Sequence, residues 1–114
     1  MKISRKDVPT RNVDAALDIA PLFDGTDFKF DVALGKLQGS HPTRANHVSD
    51  RVYFILSGAF TVRVGQKTYE AQTHDTFVIP AGVPHGISGK GEFLIVTAPP
   101  FAPENEEEIS GRQV

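Results

Sequence analysis

The sequence predicts an all-β domain, and three observations support this prediction. Ten glycines and eight prolines divide the 114 residues into short segments. The segments between them are rich in Val, Ile, Thr, Phe and Tyr, which fit a pleated and half-buried surface. Several segments alternate apolar and polar residues, which is the period of a strand. About eight short antiparallel strands joined by such turns are typical of a sandwich or a small barrel.

The strands can be assigned in order along the chain. Before them, a short helix is expected at 13–19, with Asn12 or Asp14 as its cap. The first strand is expected at 28–35, where alternate apolar residues share one face. These residues are Phe28, Phe30, Val32 and Leu34. Further strands are expected at 51–57, 60–64, 68–71, 76–79, from 85 to a turn at 89–91, and at 92–97.

We divide the chain into three parts. Residues 1–27 form an N-terminal arm that contributes to the barrel or to a dimer, and 28–98 form the barrel. Residues 99–114 form an acidic tail that is nearly devoid of apolar side chains after Pro103. Such a composition buries little apolar surface, so we expect the tail to be solvated.

Size, cysteine content and charge exclude several classes of protein. A chain of 114 residues supports one core, and it contains no cysteine. Disulfide scaffolds, zinc ribbons, iron–sulfur clusters and cysteine nucleophiles are thereby excluded. A formal net charge of −2 supplies no basic field, so nucleic acid is not expected as a partner. The chain also lacks a signal-peptide pattern and an apolar run of roughly 18 residues, which predicts a cytoplasmic protein with no membrane partner.

Two segments resemble the sequence motifs of the cupins. The segment 39–58 begins and ends with glycine and contains His47, while 75–85 contains the pattern Pro-x-Gly-x-x-His at Pro80, Gly82 and His85. The resemblance covers residues 28–98. It implies a double-stranded β-helix, or jelly-roll barrel, with a pocket at its mouth that binds a small-molecule ligand. It also implies a homodimer.

The first motif departs from the cupin pattern at two of its metal ligands. Aligned on Gly39 and Gly58, it has Ala45 at the first histidine position, His47 at the second and Arg51 at the glutamate position. The metal-binding role that the resemblance implies therefore passes only to His47 and His85. The same two histidines are the candidate catalytic acid and base, since neutral imidazoles transfer protons near pH 7.

The register after His47 decides between two kinds of site. A one-residue slip at 48–50 would turn Asp50 inward, and His47, Asp50 and His85 would then bind a divalent metal. Fe or Mn suits this triad best, and Ni and Zn are also candidates. Without the slip, Arg51 points inward, and its positive charge disfavours a metal.

An inward Arg51 would bind an anionic ligand through bidentate hydrogen bonds. Tyr53 shares the face of Arg51 and is expected to contact the same ligand. His41 joins these substrate-binding residues if the chain folds back at Pro42.

Three functions therefore remain open at this point. The first is an enzyme of the isomerase, lyase or dioxygenase type that acts on a polar small molecule, with or without a metal. The second is a non-catalytic binding module in which Arg51 replaces the metal and binds an anion. The third is a structural dimer with a vestigial pocket. The sequence does not decide whether the protein is an enzyme.

Overall fold

A computed structural model describes residues 1–23 and 27–109. Two 3-10 turns occur in these residues, at Arg5–Asp7 and Pro103–Asn105. The eight strands are β1 (Arg11–Asn12), β2 (Leu17–Phe23), β3 (Asp31–Asn46), β4 (Asp50–Val64), β5 (Lys67–Ala71), β6 (Thr76–Ile79), β7 (His85–Ala98) and β8 (Glu106–Glu108). Within the described ranges, no helix is long and apolar enough to span a membrane.

The strands form one antiparallel sheet that is organised around β7. Strand β7 pairs with β3 on one side and with β4 on the other. The outer edge of β3 is covered by β2 and β8, and the outer edge of β4 by β5 and β6. This topology confirms the predicted all-β jelly-roll barrel.

Strands β4 and β7 continue through glycines that the sequence analysis assigned to turns. Gly58 has φ +87° and Gly91 has φ +151°, and the two are register partners. The strands approach so closely here that a Cβ on Gly58 would overlap the backbone of Lys90. A bulge between Ile55 and Ser57 adds to the local bend. The predicted breaks at 58 and at 89–91 are therefore wrong, because these glycines permit a close approach inside continuous strands.

The N-terminal segment is extended where a helix was predicted at 13–19. Asp14 Oδ1 accepts hydrogen bonds from the backbone N–H groups of Ala16 and Leu17. This closes a local turn that leads directly into β2, which pairs with β3. The helix prediction is wrong because the side chain of Asp14 stabilises a turn before a strand.

Strand β3 begins three residues later than predicted. Phe28 and Phe30 precede it and are 47% and 44% exposed. Their rings contact Phe23 at centroid distances of 4.8 and 5.6 Å. The alternation before residue 31 therefore reflects a small aromatic cluster beside the barrel.

The C-terminal segment docks on the barrel, contrary to the prediction of a solvated tail. Strand β8 pairs with the end of β3. The backbone oxygen of Asn105 accepts a hydrogen bond from His47 N–H, and Ile109 N–H donates one to the oxygen of Thr43. Backbone pairing thus stabilises a segment that has few apolar side chains. The rest of the predicted tail, 110–114, lies outside the described residues.

The hydrophobic core lies between the two halves of the coiled sheet. Phe93 is at its centre, 1% exposed, with its ring against Tyr53 and Phe60. The other core residues are Leu17, Leu37, Ile55, Val62, Ala71, Ile79 and Ile87. Because Phe93 and Tyr53 also line a cavity, the core forms the floor of that cavity.

Candidate functional site

A cavity of about 460 Å³ opens inside the barrel. Its apolar wall includes Leu17, Ile19, Phe93 and Ile95, from β2 and β7. Its polar wall includes His41, Arg44, Arg51 and Glu106, from β3, β4 and β8. A site with one apolar and one polar wall suits a small amphipathic ligand.

A buried ion pair joins Arg51 to the C-terminal segment. Arg51 is 7% exposed and donates from Nη1 and Nη2 to the two carboxylate oxygens of Glu106, at 3.0 and 3.2 Å. Asn46 Nδ2 donates to the same carboxylate at 2.9 Å. Burial opposes ionisation of Glu106, but the hydrogen bonds and charge of Arg51 outweigh it and lower the pKa of the carboxyl group. The pair is therefore ionised at neutral pH.

His85 is held as a neutral imidazole beside Arg51. Its Nδ1 atom lies 3.1 Å from the backbone oxygen of Val83, and its Nε2 atom lies 3.1 Å from Arg51 Nη1. Nδ1 therefore carries the proton, and Nε2 accepts from the guanidinium. Burial lowers the pKa of His85 to about 4. The ring edge of Tyr53 contacts His85, and burial raises the pKa of the Tyr53 phenol, which stays protonated.

A second histidine on the cavity wall is paired with a carboxylate. His41 Nδ1 lies 2.7 Å from Asp14 Oδ2, while the other oxygen of Asp14 is held by two backbone N–H groups. Burial of His41 outweighs this hydrogen bond and lowers the pKa of the imidazole. The neutral ring therefore donates from Nδ1 to Asp14 and keeps a lone pair on Nε2. His41 lines the cavity although the chain does not fold back at Pro42, because β3 continues through that residue with an irregular register between His41 and Arg44.

His47 lies outside the cavity, so the structure does not bring it together with His85. Its side chain is 55% exposed, and Nε2 contacts Glu107 Oε2 at 2.6 Å. The reason is the register at the end of β3. Arg44 pairs with His85, and Asn46 pairs with Glu106, so 44 and 46 occupy the inward positions. His47 falls on the opposite face by strand alternation. The assignment of His47 to a catalytic or metal-binding position in the pocket is wrong for this reason.

The residues present do not fit the divalent metal that the cupin resemblance implied. Asp50 is exposed and accepts a hydrogen bond from Ala81 N–H, so the predicted triad of His47, Asp50 and His85 does not form. Arg51 is the inward residue, and its guanidinium occupies the space beside His85. In residues 1–23 and 27–109, no group of three or more His, Asp or Glu residues is arranged to hold a metal.

Comparison with known proteins gives the family. A family model described as "Cupin domain" matches residues 33–97, which is more than half of the chain. The chain belongs to the cupin family. A curated relative, an uncharacterized protein of Streptomyces coelicolor, is 34% identical over 65 residues. That match spans 54% of this chain and 62% of the relative.

Solved structures share the cupin fold at low sequence identity. Pac13, described as a unique nucleoside dehydratase, superposes with a TM-score of 0.85 at 18% identity, over 96% of this chain and 90% of that one. Variants of the Streptomyces protein are known with uridine. An RmlC-like cupin from Shewanella frigidimarina superposes with a TM-score of 0.73 at 19% identity, over 87% and 88% of the two chains.

Sequence reasoning missed four residues of the site: Asp14, Arg44, Asn46 and Glu106. Arg44 and Asn46 lie on the same face of β3. They were missed because the alignment to the cupin motif placed residues 45 and 47 on the inward face. Asp14 was assigned as a helix cap. An aspartate that caps a helix and one that stabilises a turn before a strand have the same local sequence pattern. Glu106 had no local pattern to distinguish it from its acidic neighbours, because its partner is 55 residues away in the chain.

Proposed function

We propose that this cupin is an enzyme of the lyase or isomerase type that transfers protons on a polar small molecule. The observation that carries the proposal is the 2.7 Å hydrogen bond between Asp14 and His41, whose side chain lines the cavity. A neutral imidazole with a free Nε2 lone pair is a suitable general base near pH 7. A carboxylate behind Nδ1 fixes the tautomer and stabilises the imidazolium that forms after proton transfer.

The other polar residues of the cavity support substrate binding. Tyr53 is a protonated phenol on the cavity wall and is suited to donate a hydrogen bond to a ligand oxygen. Arg51, which is paired with Glu106, donates to His85 Nε2 and so favours one tautomer of His85. In this proposal, none of these residues needs a metal, because imidazole alone moves the proton.

Likeness to Pac13 supports the reaction class. A dehydratase removes water from its substrate, which requires a base for the C–H proton and an acid for the leaving hydroxyl. One histidine can serve both steps, since the proton it takes up can be returned to the departing oxygen. We therefore propose a hydroxylated small molecule with an acidic C–H group as the substrate, and nucleosides are the first class to test.

A non-catalytic binding module is the second candidate. The observation in its favour is the buried Arg51 beside His85, where the sequence analysis expected an anion-binding cation. Glu106 already accepts one hydrogen bond from each Nη atom of that guanidinium and balances its charge. An external anion would compete with Glu106 for the same cation, so we favour the enzyme.

Proton abstraction can be tested without knowing the natural substrate. The protein is incubated in D₂O with uridine and with a panel of 2-hydroxy and 3-hydroxy aldehydes, ketones and acids. NMR follows loss of the C–H signal and formation of an alkene. We expect exchange or elimination on at least one compound, a fall of roughly 100-fold or more for His41→Gln, and a smaller fall for Asp14→Asn. His74→Gln, at an exposed position, is the matched control.

Two outcomes would contradict the proposal. An unchanged rate in His41→Gln would exclude His41 as the base. Binding of these compounds without exchange or elimination by the wild-type protein would favour the binding module instead.

A further inference from the structure

Arg44 is a cavity-lining cation that forms no ion pair with the described residues, although Glu108 is its register partner on β8. Its Nε atom is buried and has no hydrogen-bond partner among those residues. Among residues 1–23 and 27–109, no side chain forms an ion pair or a hydrogen bond with its guanidinium. Arg51, on the same wall, has both Nη atoms paired with a carboxylate. The two arginines of the polar wall share an unpartnered buried Nε atom and differ in their Nη atoms, which a carboxylate pairs in Arg51.

Arg44 lies where it can contact a ligand in the cavity. It is partly buried, is the register partner of His85, and lines the cavity together with His41. Burial is the main cause that lowers the pKa of His41, and the positive charge of Arg44 on the same wall acts in the same direction. A partly desolvated cation loses hydration that a protein partner does not replace here. A negatively charged ligand group would replace it.

We propose that Arg44 is the anion-binding residue of this cavity and that the natural ligand carries a carboxylate next to the group that His41 acts on. The inference rests on the proposed function for the role of His41, whereas the anion-binding part stands on the geometry of Arg44. In this proposal the anion contacts Arg44 and not Arg51, because Glu106 already balances the charge of Arg51.

A carboxylate fits this site better than a phosphate monoester. The planar guanidinium fork matches the two oxygens of one carboxylate. A single arginine that forms no ion pair with the described residues balances one negative charge. The second charge of a phosphate monoester would face Glu106 and Asp31, which line the same cavity. The apolar wall of Leu17 and Phe93 favours a carboxylate that carries an apolar group.

The test compares mandelate with its neutral amide, mandelamide, by calorimetric or NMR titration at low ionic strength. The two probes differ only in the carboxylate, so the ratio of their Kd values reports the charge preference. We expect mandelate to bind about tenfold more tightly to the wild-type protein. The ratio should fall to about one in Arg44→Gln and remain largely preserved in Arg44→Lys. Arg63→Gln, at an arginine that binds the backbone oxygen of Gly65 away from the cavity, should leave it unchanged.

Equal affinities for mandelate and mandelamide in the wild-type protein would overturn the proposal. A preference that survives in Arg44→Gln would also overturn it. Inorganic phosphate that binds more tightly than mandelate would overturn the carboxylate assignment. Circular dichroism of each variant confirms folding, and Arg44→Lys keeps the test valid if Arg44→Gln is unstable. Because these titrations need no turnover, failure of His41 as a base and failure of Arg44 as the anion site are separate results.

Discussion

Acidification is expected to destabilise the barrel before its carboxylates are protonated, because His85 is buried as a neutral ring. The folded protein holds the pKa of His85 at about 4, whereas an unfolded histidine has a pKa of 6.5. Between these values the unfolded chain takes up a proton that the folded chain does not. Stability is therefore unaffected by His85 above about pH 6.5 and falls as the pH decreases toward 4.

The two pKa values give the size of the effect. The free energy of unfolding should fall by about 2 kcal/mol at pH 5 and by about 3 kcal/mol at pH 4, relative to pH 7. This loss has a structural cause. Protonation of Nε2 would turn the acceptor of the hydrogen bond from Arg51 into a donor and place two cations in contact.

Urea unfolding at pH 7, 6 and 5 tests this prediction. The chain has no tryptophan, so circular dichroism is the appropriate probe. His85→Gln keeps an acceptor for Arg51 but does not titrate. We expect it to be less stable than the wild type at pH 7, with the difference shrinking by about 2 kcal/mol at pH 5. His74→Gln controls for an exposed histidine. Parallel loss of stability in the wild-type and His85→Gln proteins would refute the reasoning.

Three further measurements test the ion pair, the strand contact and the base. Glu106→Gln should lower the free energy of unfolding in urea by roughly 3 to 5 kcal/mol, because it leaves a buried cation unpaired. Glu107→Gln, at an exposed pair, should lower it by less than about 1 kcal/mol. Equal losses of stability in the two variants would contradict the buried ion pair. Gly58→Ala should destabilise the protein far more than Gly82→Ala. The two glycines have similar positive φ angles, but a Cβ added at Gly82 would meet no atom within 4 Å. Similar melting temperatures of the two variants would show that the φ angle alone determines the loss of stability. For any substrate found, kcat/KM should fall with decreasing pH, because protonated His41 cannot act as a base. A kcat/KM that rises on acidification would exclude a neutral imidazole as the base.

Local patterns predicted most of the sheet and failed where two strands interact closely. Alternation and turn residues located β5 and β6 within a residue. The same rules divided β4 and β7 at glycines, because a glycine in a turn and a glycine at a strand contact look identical in sequence. What distinguishes them is the backbone of the facing strand, such as Lys90 opposite Gly58. That contact joins residues far apart in the chain, so no local sequence pattern predicts it.

Of the six residues that the sequence analysis selected as site candidates, four lie at the cavity, and His47 and Asp50 lie outside it. Arg51, Tyr53, His85 and His41 all line the cavity or contact residues that do. His47 was misplaced because sequence spacing alone does not give the register at the end of a strand. A shift of one residue in the register exchanges the side chains on the two faces.

Glu106 links the docking of β8 to the interior of the barrel. Its carboxylate lies 55 residues from Arg51 in the chain, and the two meet where β8 pairs with β3. A chain truncated before residue 106 would bury Arg51 without this carboxylate, so we expect it to be less stable than the full chain. A single carboxylate thus makes the stability of the barrel depend on a strand of three residues.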